Sequence, residues 1–155
     1  VMLTHFDKIL IYPDDYYSRI NHAYHKGEVN PRMKAIVLSW KAFVDGYIHS
    51  TSGRNLGLHE MAHALKFEDR IFNEEFEFLD QEVLEEWNVL AQAEIMLIHA
   101  GLSRMFRPYA GTNEEEFFSV AVENFFERPK KFKTLMPKLY SNLVLLLRQD
   151  PIAMY

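Results

Sequence analysis

Short runs of consecutive apolar residues mark the chain as far as Trp40, and a three- to four-residue apolar period takes over from Asn55 onward. Residues 8–12 (KILIY) are apolar and rich in β-branched side chains and stop at Pro13; residues 35–40 (AIVLSW) repeat the pattern. Both runs predict strands. Between them, residues 14–32 are polar and aromatic, with Gly27 and Pro31 as breakers, which predicts a long connection. A first helix is predicted over residues 55–67, with Leu58, Met61, Ala62 and Leu65 on one side and Ser52 and Asn55 as upstream capping candidates. A second is predicted over 81–105, where Leu84, Trp87, Ala91, Ile95, Ile98 and Leu102 recur at helical steps. A third runs from about Asn113, a possible N-cap, to Glu127 before Pro129, with acidic residues in its first turn where the helix dipole favours them. A fourth is expected from about Leu135 to Arg148, with Leu139, Leu143 and Leu146 in register. A small N-terminal sheet followed by about four helices reads as α+β.

Composition narrows the chemistry. The 155 residues carry no repeat, low-complexity tract or Pro/Gly-rich linker, so residues 1–155 read as a single domain. With 17 Lys and Arg against 22 Asp and Glu, the net charge is −5, and no basic excess exists to draw in nucleic acid or an anionic membrane. No window approaches the roughly 18 consecutive apolar residues of a membrane span, and a cytoplasmic location is expected. The count of zero Cys excludes a disulfide scaffold, a Cys-ligated zinc finger, an iron–sulfur cluster and a cysteine nucleophile. Any metal must be held by His and carboxylate.

The segment His59-Glu60-Met61-Ala62-His63 is an H-E-x-x-H sequence inside the first predicted helix. Residues four apart share a helix face, so both imidazoles can reach one ion. Glu60, about 100° round the helix, does not join that pair but can reach a water bound to the ion and take its proton. A third ligand is required. No His follows at close spacing, and Glu68 and Asp69 lie too near in sequence to curl back. His22 and His25, in the polar connection, are expected to face solvent, and His5, His49 and His99 are scattered. The third helix is the better source: Glu116 and Glu123 are two turns apart, on one face, among phenylalanines. Periodicity does not choose between them. Val37, Leu38 and Ser39 read either as an interior strand or as an edge strand on which an extended substrate could pair.

The sequence NLGLHEMAH over residues 55–63, with YAGTNEEEFFSVAVENFF over 109–126, resembles the MtfA family of bacterial zinc peptidases. ILIYP at 9–13 and VLSW at 37–40 match the family's pattern in the same order. The resemblance implies a zincin-like catalytic domain with a cleft between the small sheet and the motif helix. It implies one zinc per chain held by His59, His63 and Glu116. Glu60 would be the general base acting on a zinc-bound water, and Tyr109 the donor to the oxyanion. Glu123 would hold a ligand His by its other ring nitrogen. The implied activity is hydrolysis of peptide bonds in a peptide or protein substrate. An alternative is a regulatory protein-binding module with structural or vestigial zinc, because some members engage a transcriptional repressor of sugar uptake. The chain departs from the family pattern at Lys66, where an Asp is common, and in lacking a helical region that precedes the first strand of longer members.

Overall fold

The computed structural model describes residues 3–19, 22–49, 51–72 and 79–153. Strand β1 (Lys8–Tyr12) pairs in parallel with β5 (Ala35–Ser39), and β4 (Gly27–Asn30) pairs antiparallel on the other side of β5. The resulting sheet has the order β1-β5-β4. All five residues of β5 are buried, as an unbroken apolar run between two partners should be. Val37, Leu38 and Ser39 therefore lie in the central strand and have no free edge to offer. The edge beside the motif helix belongs to β4. The connection expected between β1 and β5 carries structure of its own: β2 (Tyr16–Ser18) and β3 (Ala23–His25) form a two-stranded antiparallel pair ahead of β4. These strands are too short and too polar for alternation to register.

Helix α1 (Trp40–Ile48) starts directly at the end of β5. Ser39 Oγ accepts from Ala42 N at 3.3 Å, so Ser39 is an N-cap and Trp40 is helical rather than extended. Helix α2 (Leu56–Phe72) is capped by Asn55, whose Oδ1 accepts from Leu58 N at 3.1 Å, while Ser52 bonds within the preceding loop. Helix α3 (Gln81–His99) stops six residues before the predicted end. Its last turn is closed by Gly101 N to Ile98 O and Leu102 N to Leu97 O, which ends a helix irrespective of the apolar residues beyond it. A 3-10 turn (Pro108–Gly111) leads to α4 (Glu114–Glu127), capped by Asn113. The last predicted helix is α6 (Pro137–Leu147), and a short helix that the apolar period did not predict, α5 (Pro129–Leu135), precedes it, each opening with a proline in its first turn. Among the described residues the fold is α+β with six α-helices, and none is long and apolar enough to cross a membrane.

Every residue of α4 from Phe117 to Phe125 is buried, so this helix is enclosed on all sides. Phe117 sits in an aromatic cluster, with its ring centroid 4.9 Å from that of Phe106 and 5.7 Å from that of Trp87. The N-terminal segment is tied to α2 by Glu68, fully buried, which accepts from Thr4 Oγ1 at 2.6 Å and His5 N at 2.8 Å. α2 thus lies between α4 and the sheet. Phe117→Ala should destabilise the protein by about 3–5 kcal/mol, read as a lower urea midpoint; a loss below about 1 kcal/mol would show that α4 is not the centre of the core.

Candidate metal centre

His59 and His63 project from the same face of α2, as the four-residue spacing requires, and α4 brings Glu116 against them. His59 Nε2 lies 3.1 Å from His63 Nε2 and 3.1 Å from Glu116 Oε2, and His63 Nε2 lies 3.5 Å from Glu116 Oε1. Two atoms bound at about 2.0–2.1 Å to one tetrahedral ion sit about 3.3 Å apart. Glu116 Oε2 is buried and makes no hydrogen bond of acceptable geometry, although His59 is close. Three lone-pair atoms converging on one point, one of them orphaned, fit a cation. Among the described residues this is the one group of three His or acidic side chains so arranged.

Glu123 faces the other side of His59. Its Oε1 is 2.8 Å from His59 Nδ1 and accepts from Arg107 Nη2 at 2.9 Å, and its Oε2 accepts from Asn55 N at 2.6 Å. With the His59 proton on Nδ1, Nε2 is left as a bare acceptor facing His63 and Glu116. The two carboxylates that periodicity left open are thereby separated: Glu116 joins the convergent set and Glu123 lies behind it.

Glu60 is 6% exposed and packs against Gly27 at the start of β4. A Cβ at Gly27 would lie 2.5 Å from Glu60 Oε1, so this carboxylate needs a glycine beside it. Burial dominates its titration and, despite His59 and His63, raises its pKa to about 7. Burial alone would lower His59, but the carboxylates of Glu116 and Glu123 outweigh it and raise His59 to about 9. Burial likewise opposes ionisation of Glu116, yet the neighbouring His59, His63 and Tyr109 hold it well below the usual carboxylate range. Burial and the Glu116 contact push the Tyr109 hydroxyl up and keep it protonated. The Tyr109 ring lies 6.1 Å from that of His59, and the Arg107 guanidinium sits over it at 5.6 Å.

His59, Glu60 and Tyr109 open into a cleft of ≈ 590 Å³ walled by β3, β4, α1 and the loop before α2. His25 lines this cleft rather than facing solvent, and its Nε2 is buried with no hydrogen-bond partner. Lys66 turns away from the centre, its ammonium 5.4 Å over the Phe118 ring, and burial lowers its pKa. Arg107 and Gly27 carry no motif signal. An arginine two residues before a tyrosine and a glycine opening a strand are intelligible only once the chain has folded around them.

With no cation bound, Glu60 and His59 act on stability in the same direction. Their folded pKa values, about 7 and about 9, lie above the ordinary 4.5 and 6.5, so the native state holds protons that the unfolded chain has released. That stability is complete below the ordinary values and disappears as pH rises through about 7 for Glu60 and about 9 for His59. The denaturation midpoint of chelated protein should fall steadily from about pH 5 to about pH 9, and Glu60→Gln should flatten only the lower part of that fall. A midpoint that climbs across the range would contradict the assignment.

Residues 2–148 match the family described as glucose-regulated metallo-peptidase M90. An uncharacterized protein of Synechocystis, slr2042, is 26% identical over 152 residues, covering 88% of this chain and 55% of that protein. The chain therefore spans about half the length of that relative. No function is carried by that name, whereas the family match extends from the segment before β1 to the end of α6 and includes every residue of the His59, His63 and Glu116 cluster. This chain belongs to the M90 family of glucose-regulated metallopeptidases, the MtfA family.

Proposed function

We propose that this chain is a zinc metallopeptidase domain of zincin-like fold that hydrolyses peptide bonds in a peptide or protein substrate. The observation that carries the reading is the convergence of His59, His63 and Glu116, with the buried carboxylate of Glu60 on the same helix. A His/His/carboxylate set suits zinc, and among the described residues no fourth His or carboxylate belongs to it. Three protein ligands leave a position for water or substrate, which favours catalysis over a purely structural ion. Zinc bound there supplies Lewis acidity toward a water and the scissile carbonyl.

The side chains do the rest. Glu60, the buried carboxylate next to His59 on the same helix, takes the proton of the attacking water and passes it to the leaving amine. Gly27 keeps the space in which that carboxylate sits. Tyr109, protonated and beside Glu116, donates to the developing oxyanion. Glu123 keeps His59 in one tautomer and one orientation. Strand β4 pairs only with β5 among the described residues, so its other edge can take an extended substrate main chain past Glu60.

Glu60→Gln should leave zinc content unchanged and cut peptide hydrolysis by about 10²–10⁴-fold; undiminished hydrolysis would sink the mechanism. Glu123→Gln should weaken zinc about 10- to 100-fold. Should zinc survive Glu116→Ala and vanish on Glu123→Ala, the third ligand has been misassigned. Gly27→Ala should slow hydrolysis while zinc stays, because the added methyl group meets the Glu60 side chain first. Equal activity in that variant would remove Glu60's position from the argument.

A further inference from the structure

A second cavity, of ≈ 270 Å³, lies on the far side of a wall that it shares with the metal cleft, formed by Arg54 and Arg107. Arg104 and Arg128 complete a ring of four arginines around it, and no carboxylate lines it. The protein carries a net charge of −5, so this concentration of positive charge is not a property of the whole surface.

The acids close by are engaged elsewhere. Glu123 receives His59, Arg107 and Asn55 N. Glu127 accepts from Gly53 N at 2.6 Å and Arg54 N at 3.2 Å, and Asn55 Nδ2 at 3.2 Å. Arg107 is held by Gly53 O at 2.6 Å and by Glu123, which fixes its plane. Arg128 donates through Nη2 to Asn124 Oδ1, while its Nε is buried with no partner. The guanidinium groups of Arg54 and Arg104 have no hydrogen bond or ion pair among the described residues. Each guanidinium offers five donors, so most of the donors in this ring are unused.

The backbone makes room for the ring. Gly53 has φ +70°, and a Cβ there would collide with the Arg128 guanidinium and Asn124 Oδ1. A glycine in the left-handed region thus lets Arg128 lie flat against the loop. Burial holds Arg128 below its ordinary pKa, and the charge of Arg107 adds to this, although Glu127 and Glu123 oppose it.

We propose that this arginine-lined cavity binds a small, multiply charged oxyanion, a phosphate or a dicarboxylate. Planar guanidinium forks match both groups bidentately. The volume is below the roughly 300–1,000 Å³ of pockets for drug-sized ligands, which favours an ion of phosphate or succinate size. The inference does not rest on the peptidase reading, because none of His59, His63, Glu60 and Glu116 lines the cavity.

Calorimetric titration of the full chain at constant ionic strength tests it, with inorganic phosphate in one series and succinate in another. One saturable site per chain is expected for at least one of them, phosphate marking the phosphoryl class and succinate the dicarboxylate class. Arg104→Glu should weaken that binding at least roughly tenfold, since a charge-assisted donor is replaced by a repelling charge. Arg104 is exposed, so its variant tests the site even if Arg128→Gln proves unstable. His63→Ala should bind the anion as the parent does. Absence of saturable binding in both series, binding indifferent to Arg104→Glu, or binding lost in His63→Ala would each overturn the proposal, the last by moving the anion to the metal centre.

Discussion

The buried carboxylate of Glu123 sits in a helix otherwise packed with phenylalanine, and a charge there is tolerable only if it is fully partnered. Its partners come from three places: the His59 ring on α2, the Asn55 backbone at the start of α2, and Arg107 ahead of the 3-10 turn. One group therefore fixes where α2 begins, which way His59 faces and where the Tyr109 segment lies. Breaking a buried pair by removing one partner costs roughly 3–5 kcal/mol, a large fraction of a small domain's total stability. The position is restrained by stability and by chemistry together. Drift of α4 relative to α2 would separate Glu116 from the two imidazoles and strip Glu123 of its donors in one movement.

The other buried acids follow the same logic on a smaller scale. Glu68 ties the N-terminal segment to α2, Asp69 accepts from Leu79 N at 3.2 Å where α3 approaches, and Glu94 accepts from Ser103 Oγ at 2.7 Å at the close of α3. Each of these carboxylates receives a donor from a segment distant in the chain or across a turn. Glu60 differs. It is nearly as buried, yet among the described residues no hydrogen bond reaches its carboxylate, and lost solvation raises its pKa. Glu60 is set apart in this way from the carboxylates that hold the fold together.

Much of the centre was legible because its signals are local. Four-residue spacing places His59 and His63 on one face whatever surrounds them, and the apolar period around Trp87 and Ile98 fixes α3 without tertiary information. Glu116 and Glu123 could be narrowed to a pair by helical period, but choosing between them depends on how α4 lies across α2, and only the resemblance to a known family supplied that choice. The N-terminal region was least legible. The apolar run at residues 35–39 is equally consistent with an edge or a centre, and its two partners are set by β1 and β4, which lie far apart in sequence. Helix α1 was missed because it follows the strand without a break, its cap Ser39 being the last residue of β5. Helix α5 carried no signal because its seven residues, PKKFKTL, hold too few apolar positions for a period to register, whereas the leucines at 139, 143 and 146 mark α6.

Arg107 joins the two cavities and clarifies how labour is divided in the molecule. The convergent atoms of His59, His63 and Glu116 stand on α2 and α4, whose relative position is locked by a packed aromatic core and by Glu123. The walls around them come from shorter pieces: the β3–β4 segment with His25 and Gly27, the loop carrying Gly53 and Arg54, and the Arg107–Tyr109 stretch. Placing the reactive groups on long helices gives them fixed geometry, while placing the walls on short strands and loops leaves them adjustable without cost to the core. Arg107 is the exception, a wall residue whose guanidinium reaches back to Glu123 and so contacts the rigid frame. Charge brought near its outer face acts on a group that shares the Glu123 carboxylate with His59. A chain in which the cleft wall and the ligand frame share one cation has a direct physical path between what lies outside the metal centre and the orientation of the imidazole within it.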